Sequence, residues 1–318
     1  MSNKIRLGIL GGGGDSLIGV LHRVAANMFD QYEIVGGVFN PNFDENISFA
    51  KKIGINTSRI YEDFETLIEQ ESKLNASKRM QVVSVLTPNF LHYPMAKKLL
   101  ENNFHVICEK PLTTTYQEAL ELQKIQKEKN TVFAVTHTYT GYPMVRQMTK
   151  MISEGIIGNI QKVDGQYLQG WLNPVIHDKE KRSSTWRLDP KKSGSSCCLG
   201  DIGTHAFNMV ELVTGMKVNK LLADLNTLYD DNPMDIDANI LIRFSNNAKG
   251  TIRSSQIATG EENNIRINVY GSKGALKWEQ ENPNYLYHLT EDKPIQVLKP
   301  GHALSLIHIS EPTRQASI

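Results

Sequence analysis

A glycine-rich turn constrains this chain more than any other feature. Gly8-Ile9-Leu10-Gly11-Gly12-Gly13-Gly14-Asp15-Ser16-Leu17-Ile18-Gly19 closes the first apolar run, Ile5–Leu10, and opens a segment of helical spacing, Leu17–Met28. Glycine belongs there when a turn is tight and the backbone must approach a pyrophosphate, for which a helix N-terminus supplies free N–H groups and a positive dipole end. Gly11 and Gly13 fit the G-x-G-x-x-G spacing, but Ser16 stands at the third glycine's place. Gly19 reads as that glycine displaced behind a short insertion. A P-loop is excluded, because Val20-Leu21 and not Lys-Ser/Thr follows Gly14-x4-Gly19. The spacing therefore predicts a dinucleotide seat at Gly11, Gly13, Gly14, Ser16, Leu17 and Ile18; the bland alternative is a flexible turn.

The next stretch alternates in the same way. Apolar runs at Glu33–Phe39, Val82–Leu86, His105–Cys108 and Val132–Thr136 are separated by helical patterns at Asn46–Ile53, Phe64–Glu71, Pro94–Leu100 and Tyr116–Glu128. That order predicts an α/β fold with a doubly wound parallel sheet of the Rossmann kind. Thr114 or Thr115 can cap the last helix in a loose capping box with Glu118, and Pro94 suits a first helical turn. The second half changes character. After one helix at Met144–Glu154 come strand-like runs at Ile160–Leu168, Leu221–Leu228, Asn239–Phe244, Thr251–Ile257, Arg266–Tyr270 and Ala275–Trp278, with a helix at Ile202–Thr214. An α+β domain with an open, mostly antiparallel sheet follows. We expect a dinucleotide-binding domain over 1–140 and a substrate domain over 141–303. The segment from Leu304 to Arg314, Leu-Ser-Leu-Ile-His-Ile-Ser-Glu-Pro-Thr-Arg, is what one frame of a common transposon-based sequencing adapter translates to. Residues 304–318 are therefore read as adapter and index, with the natural protein expected to continue past Ala303.

Composition removes several classes of function. Lys and Arg total 35 against 34 Asp and Glu, so the basic face of a general nucleic-acid binder is not expected. No window approaches 18 uncharged apolar residues, and the first residues run straight into the glycine turn, so neither a membrane span nor a secretory signal is expected. The three cysteines, Cys108, Cys197 and Cys198, lack CxxC spacing, which disfavours disulfides and zinc and suits a reducing cytoplasm. No metal site is expected.

Three places carry chemistry. The second strand runs into Asn40, where a carboxylate would take both ribose hydroxyls of NAD and an Arg would suit NADP; Asp44 and Glu45 follow and no Arg does, which favours NAD and leaves NADP open. Glu109-Lys110-Pro111 lies at the carboxyl end of a predicted strand, where ligands of open α/β sheets bind. There Lys110 can donate to a substrate hydroxyl, and Glu109 can hold a cofactor ribose. Asp201 and His205 are four apart, on one face if helical. A carboxylate beside an imidazole raises its basicity, as a general base for an alcohol proton requires. Trp171, Trp186, Tyr139 and Tyr142 could pack against the C–H face of a sugar ring, with core packing as the alternative. Arg187 could bond substrate hydroxyls or pair with Asp189. Lys179-Glu180-Lys181-Arg182 reads as a solvated loop.

Glu109-Lys110-Pro111, Asp201-x-Gly203-x-His205, Thr87-Pro88-Asn89-x-x-His92 and the two-domain plan together resemble the Gfo/Idh/MocA oxidoreductase family over residues 4–303. Thr136-His137-Thr138-Tyr139-Thr140-Gly141-Tyr142-Pro143, Gln169-Gly170-Trp171 and Trp186-Arg187 are similar to its levoglucosan dehydrogenase and inositol dehydrogenase-like branch. The resemblance implies an NAD(P)-dependent dehydrogenase acting on CH–OH groups of a cyclic sugar, anhydrosugar or polyol. It implies His205 as acid/base, Lys110 on the reacting hydroxyl, Asp201 beside them, His137 among the substrate contacts, and Thr87, Pro88, Asn89 and His92 near the nicotinamide. Two departures stand out: Cys197-Cys198 replaces small residues, and the family's C-terminal helical segment has no counterpart here. A homo-oligomer of the full-length protein is expected, formed through the open face of the second sheet. The alternatives are a non-catalytic dinucleotide sensor on the same fold, which would need neither Lys110 nor the Asp201–His205 pair, and a dehydrogenase of open-chain or aromatic diols.

Overall fold

The computed structural model describes residues 4–227 and 232–301, and the tail read as adapter lies outside them. The chain divides into two compact units, before and after the Thr136–His137 bond. Thr136 closes the first unit, its backbone N–H donating to the Cys108 carbonyl at 3.1 Å.

The first unit runs β1 (Ile5–Gly11), α1 (Leu17–Met28), β2 (Tyr32–Val38), α2 (Phe43–Lys52), α3 (Phe64–Ser72), β3 (Val82–Leu86), α4 (His92–Glu101), β4 (His105–Cys108), α5 (Tyr116–Lys129) and β5 (Phe133–Val135). Its five strands are parallel, in the order β2-β1-β3-β4-β5. The central β3 is buried at every position, which is why its sequence, Val-Val-Ser-Val-Leu, does not alternate. Leu10, Val83, Leu99, Leu100 and Phe104 fill one side of the sheet; Leu7, Ile9, Phe39 and Leu86 fill the other. Each helix starts for a local reason. Ser16, Asn42 and Asp63 cap α1, α2 and α3 through their side-chain oxygens. Thr115, not Thr114, is the cap of α5, and its capping box with Glu118 is complete. The α4 helix begins at His92 after a 3-10 turn over Asn89–Leu91, so Pro94 is its third residue.

The second unit runs α6 (Pro143–Ser153), β6 (Ile160–Leu168), α7 (Asn173–Ile176), α8 (Lys179–Ser184), α9 (Pro190–Ser193), α10 (Thr204–Thr214), β7 (Val218–Asn226), β8 (Asp237–Phe244), β9 (Lys249–Ser255), β10 (Asn264–Gly271), β11 (Ala275–Glu279), β12 (Leu286–Leu289) and β13 (Gln296–Leu298). The sheet order is β13-β12-β11-β10-β6-β9-β8-β7, antiparallel except for the β6/β9 pair. Both α6 and α10 pack on one face, over Val163, Ile242, Ile252 and Ile267. Gly165 lets α10 come close: a Cβ there would lie 2.6 Å from a Val210 methyl. On the other face Leu222 and Leu241 are cross-strand partners and stay exposed.

Two details differ from the sequence reading. The stretch 179–182 belongs to α8, a short helix capped by Asp178, and not to a loop. The segment before α10 is a π-helical turn, Leu199–Gly203. Among the described residues no helix is long and apolar enough to cross a membrane, and all three cysteines are free and buried.

Candidate active site

In the first unit the residues singled out lie at the carboxyl edge of the sheet, where β1 and β3 leave in opposite directions and an open α/β sheet forms its crevice. Gly11 ends β1, and Gly13 donates its N–H to the Phe39 carbonyl at 3.1 Å. Gly14 has φ +57° with open space where a Cβ would stand. Gly19 does what a third glycine does in such a turn. A Cβ on it would lie 1.9 Å from the Gly12 carbonyl oxygen, so only glycine lets α1 settle against the turn. Ser16 starts α1, and Leu17 and Ile18 form its first turn, which carries no acidic side chain. A cradle of close backbone, an open approach at Gly14 and an acid-free helix start fit a pyrophosphate.

Asn40 lies just past β2, and its side chain is used locally. The amide donates to Glu45 at 2.7 Å and accepts from the Asn42 N–H at 2.9 Å, shaping the turn into α2. Thr87, Pro88 and Asn89 follow β3. The buried His92 ring faces two carbonyl oxygens, that of Pro111 at 2.7 Å from Nδ1 and that of Thr87 at 2.8 Å from Nε2. It thus joins the turn after β3 to the one after β4. Burial pushes the His92 imidazole below its ordinary pKa, against the opposing pull of those carbonyls and Glu109.

Glu109 ends β4's reach into the edge. Its Oε1 accepts from the Thr136 hydroxyl at 2.6 Å and faces His22 Nε2, on α1, at 3.0 Å. Its Oε2 accepts the backbone N–H of Lys110 at 3.2 Å. Burial pushes this carboxyl up, but the bonds from His22 and Thr136, with the charges of His22 and Lys110, outweigh burial and hold it below its usual range.

The second unit holds two side-chain clusters. His205, in the first turn of α10 and 6% exposed, is ringed by aromatic groups. Tyr139 meets it edge-on at 4.8 Å between centroids, His137 at 5.4 Å, and Tyr167 at 6.1 Å. The Tyr139 and Tyr167 hydroxyls are 2.5 Å apart, and Tyr167 donates to Asn263, which also accepts from Gln169 at 2.9 Å. Burial pushes both phenols above their ordinary pKa, so they remain donors at neutral pH. Tyr142 stacks on Tyr139 and leans on Trp278.

The second cluster centres on Asp201. The π-helical turn shifts the helical phase between Asp201 and His205. The Asp201 carboxylate accepts from the Gln256 amide at 2.8 Å and pairs with Arg187 at 3.2 Å. Arg187 therefore chooses Asp201 and not Asp189, and its guanidinium lies over the rings of Trp186 at 4.6 Å and Trp171 at 5.8 Å. Cys197 donates its thiol to the Gln256 side-chain oxygen Oε1 at 3.3 Å, and burial pushes that thiol up to about 12. Cys198 packs in the core beside Ile202 and Ala206. Gly203 sits tightly between the two helical segments: a Cβ there would lie 2.6 Å from a Leu199 methyl, which would have to move.

Several participants were not foreseen. Tyr167 comes from β6, Asn263 from just before β10 and Gln256 from just after β9, and no local motif links them. His22 lay inside a helix read only for its spacing.

Two family models cover most of the chain: the oxidoreductase family with an NAD-binding Rossmann fold over residues 5–137, and the GFO/IDH/MocA C-terminal domain over 145–277. The first unit is thus an NAD-binding Rossmann domain, and the class is a two-domain NAD-binding oxidoreductase. The chain belongs to the GFO/IDH/MocA family. It is 33% identical to the uncharacterized oxidoreductase YfiI of Bacillus subtilis, over 95% of this chain and 77% of that protein. It is 31% identical to the levoglucosan dehydrogenase of Pseudarthrobacter phenanthrenivorans, over 65% of this chain and 57% of that protein. An inositol dehydrogenase homolog from Azotobacter vinelandii, solved with NAD+, superposes with a TM-score of 0.89 at 34% identity, over 96% of this chain and 78% of that one. The same homolog was solved with NADH and myo-inositol.

Proposed function

We propose that the chain is an NAD-dependent dehydrogenase that oxidises one CH–OH group of a cyclic sugar, anhydrosugar or polyol. The observation that carries this reading is the surround of His205: an imidazole buried among Tyr139, Tyr167 and His137, with a hydroxyl chain leading to Asn263. A carbon cannot release hydride unless its hydroxyl proton leaves as well, and an imidazole in such a place can take that proton. NAD, when bound, accepts the hydride. The turn at Gly11, Gly13, Gly14, Ser16, Leu17 and Ile18 would hold its pyrophosphate, Asn40 would face its ribose, and Thr87, Pro88, Asn89 and His92 would border its nicotinamide. Lys110 donates to the reacting oxygen and stabilises its developing charge. The paired phenols stay protonated and can donate to neighbouring substrate hydroxyls. Arg187, held over Trp171 and Trp186 and tied to Asp201, offers both a planar donor and an apolar floor, which suits a ring with alternating C–H and O–H faces.

The relatives support the substrate class: one is a levoglucosan dehydrogenase, and another was crystallised with NADH and myo-inositol. The exposed Leu222–Leu241 pair supports a second copy of the chain on that sheet face, a reading that size-exclusion chromatography with light scattering decides. The test of function begins with the cofactor. Titration with NADH and NADPH, followed by nicotinamide fluorescence, should show NADH binding more tightly, because no Arg stands beside Asn40. A screen of levoglucosan, inositols and aldoses with NAD+ then reads hydride transfer at 340 nm. A folded chain that binds NADH but reduces no NAD+ across the panel would favour the sensor alternative.

A further inference from the structure

The Glu109 carboxylate is more heavily engaged than a ribose ligand would be. It is a buried acceptor with three protein donors, and one of them, His22, comes from the second turn of α1. Because Glu109 is held ionised it can only accept, so His22 must present a proton at Nε2. The side chains of this pair are 15% and 12% exposed, so it is not a solvated surface contact. The far oxygen accepts the backbone N–H of Lys110 itself. If the carboxylate turned, the peptide from which the Lys110 side chain departs would turn with it.

We propose that His22, acting through Glu109 with Thr136, is a positioning residue for Lys110. It ties the lysine to the helix that begins at the pyrophosphate seat. This rests on the role given above to Lys110, and it assigns Glu109 to bracing and not to the cofactor ribose. Charge-assisted bonds of this kind fix a rotamer. A misplacement of roughly 1 Å at a reacting group can cost about a hundredfold in rate. Without the brace Lys110 would lose its aim.

The test uses His22→Ala, His22→Gln, Lys110→Ala and the double variant His22→Ala/Lys110→Ala in the whole chain. Turnover is measured with levoglucosan and myo-inositol, and NADH affinity by fluorescence. His22→Ala should lower kcat by about tenfold or more while KM and NADH affinity stay within about threefold. His22→Gln, whose amide can still donate to the carboxylate, should recover most of the loss. In the Lys110→Ala background, His22→Ala should cost nothing further, since both act through one group. A second readout needs no sugar. Labelling of Lys110 by pyridoxal phosphate and borohydride, followed by peptide mass spectrometry, should quicken several-fold in His22→Ala and not at surface lysines. Turnover within twofold of the parent, NADH affinity lost in proportion to kcat, an equal further loss in the Lys110→Ala background, or unchanged labelling would each overturn the proposal. If Lys110→Ala itself turns over normally, the reading of Lys110 fails first, and this inference fails with it. If Lys110→Ala is inactive and His22→Ala is normal, the inference fails alone.

Discussion

The two units prepare for binding in opposite ways. The edge of the first sheet is built from backbone: a glycine turn, the open end of α1 and short turns after β3 and β4. The place around His205 in the second unit is built from side chains, with His137 and Tyr139, Tyr167, and Asn263 drawn from three separate stretches. A backbone site demands particular residues at fixed local spacing, because only glycine survives where chains nearly touch. A side-chain site demands only that the fold bring suitable groups together. The first kind tolerates almost no change in sequence and the second tolerates many.

Substitutions can break that contrast or sharpen it. The largest effect should come from His205→Ala, which removes the proposed base: kcat should fall by about a hundredfold to ten-thousandfold, with NADH affinity unchanged in a fluorescence titration. Equal losses in both would mean the two sites are not separable. Next is Gly19→Ala. Its methyl would collide with the Gly12 carbonyl, so α1 must move, at a cost of about 3 kcal/mol in urea unfolding by the scale of overpacked interiors. NADH binding should weaken in step. A variant with normal affinity would show that the turn does not seat the cofactor. Tyr167→Phe is milder. It strips a donor from Asn263 and a partner from Tyr139 and should cost about 1–2 kcal/mol. That change should appear in turnover and stability but leave NADH affinity alone.

The smallest effect is a pH slope. Burial holds His92 below its ordinary value, so protonation favours the unfolded chain. Its contribution is complete above about pH 6.5, the unfolded value. It is lost as pH falls from there toward the folded pKa. Urea midpoints between pH 8 and 5 should show this decline, and His92→Asn should flatten it. A midpoint rising on acidification would mean that the two carbonyls around the ring outweigh burial.

The same contrast explains what could be read from the chain alone. The runs Leu17–Met28, Val82–Leu86, His105–Cys108 and Ile160–Leu168 coincide with elements of the fold, because burial on one face or both leaves a periodic trace. The Thr115–Glu118 capping box was legible for the same reason: it is local. The strands β12 and β13 were not, since four and three residues with mostly part-exposed positions carry no period. In the candidate site, His205 and Asp201 stand out by their spacing. That spacing did not foretell the π-helical turn between them, nor the choice of Arg187 and Gln256 as partners of Asp201. Those depend on where β9 and the loop after α8 arrive, which is a property of the fold and not of any short stretch.

The stacking of Arg187 over Trp171 and Trp186 has an optical side. The chain has three tryptophans, and Trp278 is sealed in the core of the second unit. Two of the three indoles therefore share one guanidinium, which leans on their π-systems and is itself tethered to the carboxylate of Asp201. Anything that draws Arg187 away from those rings changes the surroundings of both emitters at once, while the third stays constant as an internal standard. The protein carries its own lamp at Asp201, readable without label or cofactor.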